Sequence, residues 1–389
     1  MTAASATGYH RPSDAEFARR RTLVADLLAS SSVDALVVYG NAASHHDIRF
    51  LAGWPPGWDS FLVWAPGELP YLLVPSPNHV PTAAAMSAGL ASAEELGADP
   101  IGSLTSAISR SLRGGRRCGL VGPMPAAVQG RLIAAMPGVE FVDLAGGWRE
   151  LRLVKSAEEI EWTRRAANLC DAGIRALVEA ARPGVRDVEL VAAVEHAYRV
   201  RGAEHGICFL ASAPMAGGGR IVPAQQPSGR RLHLGDAVTI ELSAGVGGFT
   251  GQVLRTIAVG RPPQSFRRLH EVAERTFHGI AEIVRPGTTA QELLNAAGLI
   301  EQAGLTIVDD VVHGYGGGYL PPVIRTPLTQ RRPVAELALR PGMMVVVQPN
   351  VVTPDGRLGV QTGELLVVTL TGHERLHRVR RGLLRAHGF

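Results

Sequence analysis

The sequence predicts an α/β (α+β) protein of two domains, and three observations carry that reading. The chain has 389 residues, more than a single core organises comfortably. Short apolar strands alternate with helices up to about residue 147, the pattern of a small α/β unit. Beyond that point the pattern changes to long amphipathic helices and an internal repeat. The expected domains are 1–150 and 151–389.

The elements follow in order. "SDAEFARRRTLVADLLASSSVDALVVYG" opens with Ser13 as N-cap and carries Phe17, Leu23, Leu27 and Leu28 at helical spacing. "VDALVVYG" is a buried strand ending at Gly40. The "HHD" at 45–47 is read as extended, so His45 and His46 face opposite ways and share no ion. "SFLVWAPGELPYLLVPSP" is a hairpin that turns at "PGEL", a helical stretch spans 81–97, and "CGLVG" and "VEFVDLAG" are short strands. A long amphipathic helix is capped by Ser156 with Glu159 three residues on, and Pro183-Gly184 stops it. The domain boundary is placed near 148–155.

"RPGVRDVEL" (182–190) recurs as "RPGTTAQEL" (285–293). Each copy follows a helix and leads to another, then to a Gly-initiated strand: "LHLGDAVTIEL" (232–242) and "LRPGMMVVVQP" (339–349). Overlaying the strands puts Glu241 on Gln348. Two such halves related by a pseudo-twofold bring equivalent strand positions to one cavity. Glu241, Gln252, Gln348 and Gln361 are polar residues in apolar strands, and each is either a structural hydrogen-bonder or a site residue.

Composition bounds the function. Apolar residues make up 46% and charged residues 19%, which describes an ordinary globular chain. The N-terminal "MTAASATGYHRPSDAEFARRR" shows no apolar signal core, and "YLLVPSPNHVPTAAAMSAGLASA" (71–93) is too rich in proline for a membrane helix. A cytoplasmic protein without a membrane partner is expected. Cys118, Cys170 and Cys208 are widely spaced and read as buried small apolar residues. Lys155 is the only lysine, which excludes a Walker-type loop and leaves one Schiff-base candidate. The net charge of +4 is diffuse, so no nucleic-acid partner is expected.

Five stretches then carry a resemblance: "LVKSAEEIEWTRRAA", "LGDAVTIELSAGVGGFTGQVLRT", "VVHGYGGG", "LRPGMMVVVQPNV" and "LGVQTGELLVVT". In this order and spacing the chain resembles the creatinase/prolidase/methionine aminopeptidase family. The resemblance implies a small creatinase-type N-terminal domain and a C-terminal duplicated pita-bread domain with a central, mostly antiparallel sheet. It also implies a homodimer whose N-terminal domain contributes to the partner's cavity, with His46 or Trp54 as residues to act there.

The family's five metal ligands carry over one by one. The first aspartate falls on Glu241, the second on Gln252, the histidine on His313, the first glutamate on Gln348 and the second on Gly363. Glu364 stands one place off and, by alternation, faces the other way. No metal and no other cofactor are therefore expected. The proton-transferring histidine of metal-free creatinase falls in "IVPAQQP" (221–227), which has none. His313 and Glu241 are the expected catalytic pair, His313 as acid/base with a pKa near working pH. Glu241 pairing with Arg255 is its structural alternative. Gln252, Gln348 and Gln361 are expected to hydrogen-bond a small-molecule substrate, Tyr315 and Tyr319 to line the cavity, and Arg325 to meet a carboxylate or lie on the surface. The leading reading is a metal-independent hydrolase of an amide- or amidine-like C–N bond in a small polar substrate. A lyase, cyclase or isomerase, or an inactive pseudopeptidase acting as a binding or scaffold protein, stand beside it.

Overall fold

The computed structural model describes residues 8–218 and 226–388, so 221–225 of "IVPAQQP" and the first seven residues lie outside it. The chain forms two compact units, Met1–Arg152 and Leu153–Phe389. No helix among the described residues is long and apolar enough to cross a membrane.

The first unit is built on a six-stranded sheet. Its spatial order is Ser92–Glu95, Tyr71–Val74, Ser60–Trp64, Ala35–Gly40, Arg117–Val121, Glu140–Asp143. The central strand Ala35–Gly40 is fully buried because both its faces are covered. Leu36 and Val38 join Val24 and Leu28 of helix Asp14–Ser30, while Ala35, Val37 and Tyr39 meet Leu104 and Ile108 of helix Pro100–Leu112. Two readings change here. The stretch expected to be helical over 81–97 is helical only over Val80–Met86; Gly89 turns at φ +73°, and Ser92–Glu95 becomes an edge strand. His45 and His46 are not on a strand: His45 caps and His46 begins helix His46–Ala52, and their rings lie 4.0 Å apart. Burial pushes the His46 imidazole well below its usual range, helped by His45 and Arg152. Its Nδ1 and the Trp54 Nε1 are buried without a hydrogen bond.

The second unit carries a ten-stranded sheet. Its main path runs Tyr319–Ile324, Val312–Tyr315, Met344–Val347, Gly363–Val368, Val253–Ala258, Asp236–Val246, Glu204–Pro214, all antiparallel. The duplication is visible in hydrogen bonds. Gly184 N–H donates to Leu232 O, and Gly287 N–H to Leu339 O, each at 2.8 Å. Glu189 and Glu292 close capping boxes at the starts of the two equivalent helices, Asp187–Arg199 and Ala290–Ala297. Each "RPG" therefore turns the chain back onto the segment that leads into its half's central strand.

Alternation then sorts the side chains. Val238, Ile240 and Leu242 pack on helix Ala157–Ala180, and Val345 and Val347 pack in the second half's core with helix Gln264–Ile283. Residues at the intervening positions, Glu241 among them, face away from the helices. The three cysteines are separate, and burial raises each thiol to about 12, so none is an activated nucleophile. Lys155 is buried, and its Nζ donates to Leu153 O at 2.9 Å.

Candidate active site

Strand register builds the site. Glu241 pairs with Leu254, which pairs in turn with Gly363, so the three form one row across neighbouring strands on the face away from the helices. His313 pairs with Val346, two residues before Gln348, and lies within strand Val312–Tyr315 rather than in a loop. The side chains meet through amides. Gln252 Nε2 donates to Glu241 Oε1 at 2.9 Å and to Gln348 Oε1 at 3.3 Å. Gln348 Nε2 donates in turn to Asp310 O, a long bond at 3.4 Å. The Gln361 amide also supports Glu241.

His313 is fully buried, and its Nδ1 lies 3.0 Å from Gly314 O. A carbonyl only accepts, so Nδ1 holds the proton and Nε2 is an acceptor. Nε2 lacks a hydrogen bond of good geometry, with the Gln348 side chain beside it. Burial pulls the ring down to about 4, against partial support from Gly314 O, Asp309 and Gln348. His313 is therefore neutral at working pH, where the sequence reading has it titrating. Its ring stacks on Tyr319, with centroids 3.9 Å apart and planes 12° off parallel.

Glu241 keeps part of its surface open although protein surrounds most of it. Burial, then the charge of Asp309, raises it to about 7, while Gln252 and Gln361 pull the other way. Its alternative as Arg255's partner does not hold. Arg255 is buried with Glu364, Nη2 to Oε2 at 2.7 Å, on the face opposite the site. Tyr315 is buried, and its hydroxyl accepts from Thr250 at 2.7 Å; Tyr319 is half-exposed and forms a wall. Arg325 does not join the group: its backbone N–H is tied to Gln330, and among the described residues its side chain makes no ion pair.

Two residues were missed in the sequence, Asp309 and Asp310. The available signal was a pair of acids inside the apolar "IVDDVV". Tyr319 Oη donates to Asp310 Oδ1 at 3.1 Å. Burial, then its hydrogen bond with Asp309, raises Asp310 to about 8. Asn350 fixes the pair, accepting from Val308 and Asp309 N–H at 2.9 and 2.8 Å and donating to Asp310 O at 2.7 Å.

The five positions that the resemblance matches to metal ligands hold one carboxylate, one imidazole, two amides and a glycine. Gln252 Nε2 donates to one oxygen of Glu241 and to the side-chain oxygen of Gln348. A side chain at 363 has no room. A Cβ there would stand 2.5 Å from Val347 O and 2.7 Å from Gln348 Cα. No group of three or more potential ligands is present among the described residues. This donor set does not fit a bridged pair of divalent ions. Gly363→Ala is expected to cost about 1–3 kcal/mol by forcing the neighbouring backbone apart, read as a lower denaturation midpoint in urea.

The chain belongs to metallopeptidase family M24, whose profile matches residues 161–370, more than half of the chain. It is 29% identical to the Xaa-Pro dipeptidase of Pyrococcus furiosus over 247 residues, 63% of this chain and 69% of that one. It is 28% identical to the uncharacterized peptidase YqhT of Bacillus subtilis over 244 residues, covering 62% and 67% of the two chains. Among solved structures, X-Pro aminopeptidase from Thermotoga maritima superposes with a TM-score of 0.82 at 19% identity, covering 94% of this chain and 99% of that one. Dipeptidase PepE from Mycobacterium ulcerans superposes with a TM-score of 0.77 at 24% identity, covering 97% and 99%. These likenesses bear out the expected pita-bread fold. They overturn the expected function. The relatives are named as dipeptidases and peptidases within a metallopeptidase family, which points to peptide-bond hydrolysis and not to a metal-independent enzyme on a small polar amide or amidine.

Proposed function

We propose that this chain is a peptide hydrolase acting on short peptides, with the Xaa-Pro dipeptide bond as the first candidate. The observation that carries the reading is Glu241: an open-faced carboxyl in the row of site residues on the duplicated sheet, raised to about 7, where a general base is most effective. In this reading the Glu241 carboxylate removes a proton from water as the water attacks the scissile carbonyl, and returns it to the leaving nitrogen. Gln348 Nε2, held by one long bond, is the donor offered to the carbonyl oxygen as charge builds there. Neutral His313 accepts an N–H through Nε2 and orients the peptide. Tyr319, stacked on that ring, forms the wall.

The test is direct. The full chain, incubated with a panel of Xaa-Pro dipeptides, is expected to release free proline, followed by chromatography. Absence of any cleaved dipeptide, over a panel varying the first residue from small to aromatic, would sink the reading.

A further inference from the structure

We infer that Lys155 is a positioning residue of the site: its buried ammonium braces the turn at 316–318 and so sets Tyr319 against His313. The inference rests on the peptide reading above only for its kinetic test.

The turn itself shows why a brace is needed. His313 and Tyr319 lie on neighbouring strands, Val312–Tyr315 and Tyr319–Ile324, and Tyr315 pairs with Tyr319 across the turn. The three residues between are all glycine, at φ +140°, +72° and +97°. Glycine meets no steric penalty there, but it has no side chain to fix one conformation among many. Ahead of the turn, Tyr315 is buried and tied to Thr250. Beyond it, Tyr319 is half-exposed and carries the stack on His313. The angle at which that ring arrives depends on how the turn is seated.

Lys155 packs against the turn. A Cβ at Gly316 would overlap Lys155 Cε and stand 2.6 Å from Nζ. Nζ is anchored in turn by Leu153 O at 2.9 Å. The main chain of Lys155 is fixed as well: its N–H donates to Gly342 O at 3.0 Å, and Val154 bridges Met343. Gly342 and Met343 lead into strand Met344–Val347, which pairs with the His313 strand and runs on to Gln348. One residue thus holds the start of one site strand through its main chain and the turn of the other through its side chain.

The residue type fits that task. Lys155 is the only lysine in a chain that otherwise uses arginine, and it is 9% exposed. Taking an ammonium out of water is costly, so a buried lysine marks a place where a compact charge is wanted. A guanidinium is wider, planar and forked, and the space beside Gly316 suits a thin stem with a small head. The same enclosure removes Lys155 as a Schiff-base former, since its Nζ is out of reach of a carbonyl substrate.

The experiment uses the lone lysine as its own reporter. Growth on ¹³Cε-lysine puts a single labelled site in the full chain. Its signal is expected to move in Tyr319→Ala, which frees the turn, and to stay in place in Val200→Ala, a surface change on helix Asp187–Arg199. In the other direction, Lys155→Met keeps the length of the side chain and removes the charge. The ring proton of His313, identified by its loss in His313→Gln, is expected to move downfield in Lys155→Met as the shielding Tyr319 ring departs. Hydrolysis of Ala-Pro by Lys155→Met is expected to fall about tenfold in kcat/KM, chiefly through KM, because His313 and Tyr319 orient the peptide. The rise of kcat/KM towards pH 7 stays where it is, since Glu241 is untouched. A folded Lys155→Met with the His313 signal and KM of wild type overturns the inference, whatever its melting temperature, for the lysine is then only structural. Should Lys155→Met fail to fold, the reporter decides alone, and an unmoved lysine signal in Tyr319→Ala overturns it. If the wild type cleaves no dipeptide, the peptide reading falls, and the two spectroscopic results still decide this one.

Discussion

Glu364→Gln is expected to destabilise the second unit by about 3–5 kcal/mol, because it strands a buried guanidinium. Glu364 and Arg255 are both wholly inaccessible, 2.7 Å apart, and Arg255 spends its remaining N–H groups on the carbonyls of Arg380, Leu254, Gly363 and Val379. Those carbonyls cannot neutralise a charge. At this size the loss corresponds to a fall in melting temperature of roughly 10 °C. Adding Arg255→Met is expected to restore part of it, since the unpartnered charge then goes too. A double variant no more stable than the single one would show that the pair is not the source. The acid limb of the stability curve gives a second readout. Burial alone would raise Glu364, but the hydrogen bond from Arg375 and the charges of Arg255, Arg381 and His377 outweigh it and hold the carboxyl at about 2. That is below its ordinary value of 4.5, so the ion pair's contribution is complete above about pH 4.5 and is lost as pH falls towards about 2. Glu364→Gln is expected to lack this acid-dependent loss.

The same residue shows what could be read from sequence. Glu364 was placed on the opposite face from the site because side chains alternate on a strand, an argument that needs only neighbours. The repeat at "RPG" was legible for a similar reason, since the turn, cap and strand start are all local. The pair of Glu241 with Arg255, the structural alternative for Glu241, does not form, and Arg255 pairs with Glu364 instead. The choice between two carboxylates depends on which strand lies on its other side, and that is a matter of sheet order. The helix expected over 81–97 failed at Gly89, where a backbone turn interrupts a run of alanine that would otherwise favour helix. Asp309 and Asp310 escaped notice because their importance comes from distant residues. Asn350 anchors their backbone from another strand, and Tyr319 reaches Asp310 from across a hairpin. His313 was recognisable as a site residue, but its neutral state was not, because that follows from complete burial and one carbonyl contact.

Glu241→Gln is expected to lower kcat/KM for dipeptide hydrolysis by about 10²- to 10⁴-fold, the range for loss of a general base. The substitution keeps size and can still accept from Gln252, so the fold is retained. Wild-type kcat/KM is expected to rise with pH up to about 7, as the carboxyl ionises, and then to level off; the variant's residual rate has no such step. Stability moves the other way. Glu241 titrates at about 7 in the fold against an ordinary 4.5, so the folded chain holds a proton that the unfolded chain has released. Its contribution is fully present below about 4.5 and falls away as pH rises through about 7. Glutamine escapes that loss, so the variant is expected to be more stable than wild type at pH 8 and nearly equal to it at pH 4. A variant both inactive and less stable at pH 8 would assign Glu241 to holding the sheet together. An inactive variant that melts higher assigns it to the chemistry, because the lost activity then cannot come from a weakened fold.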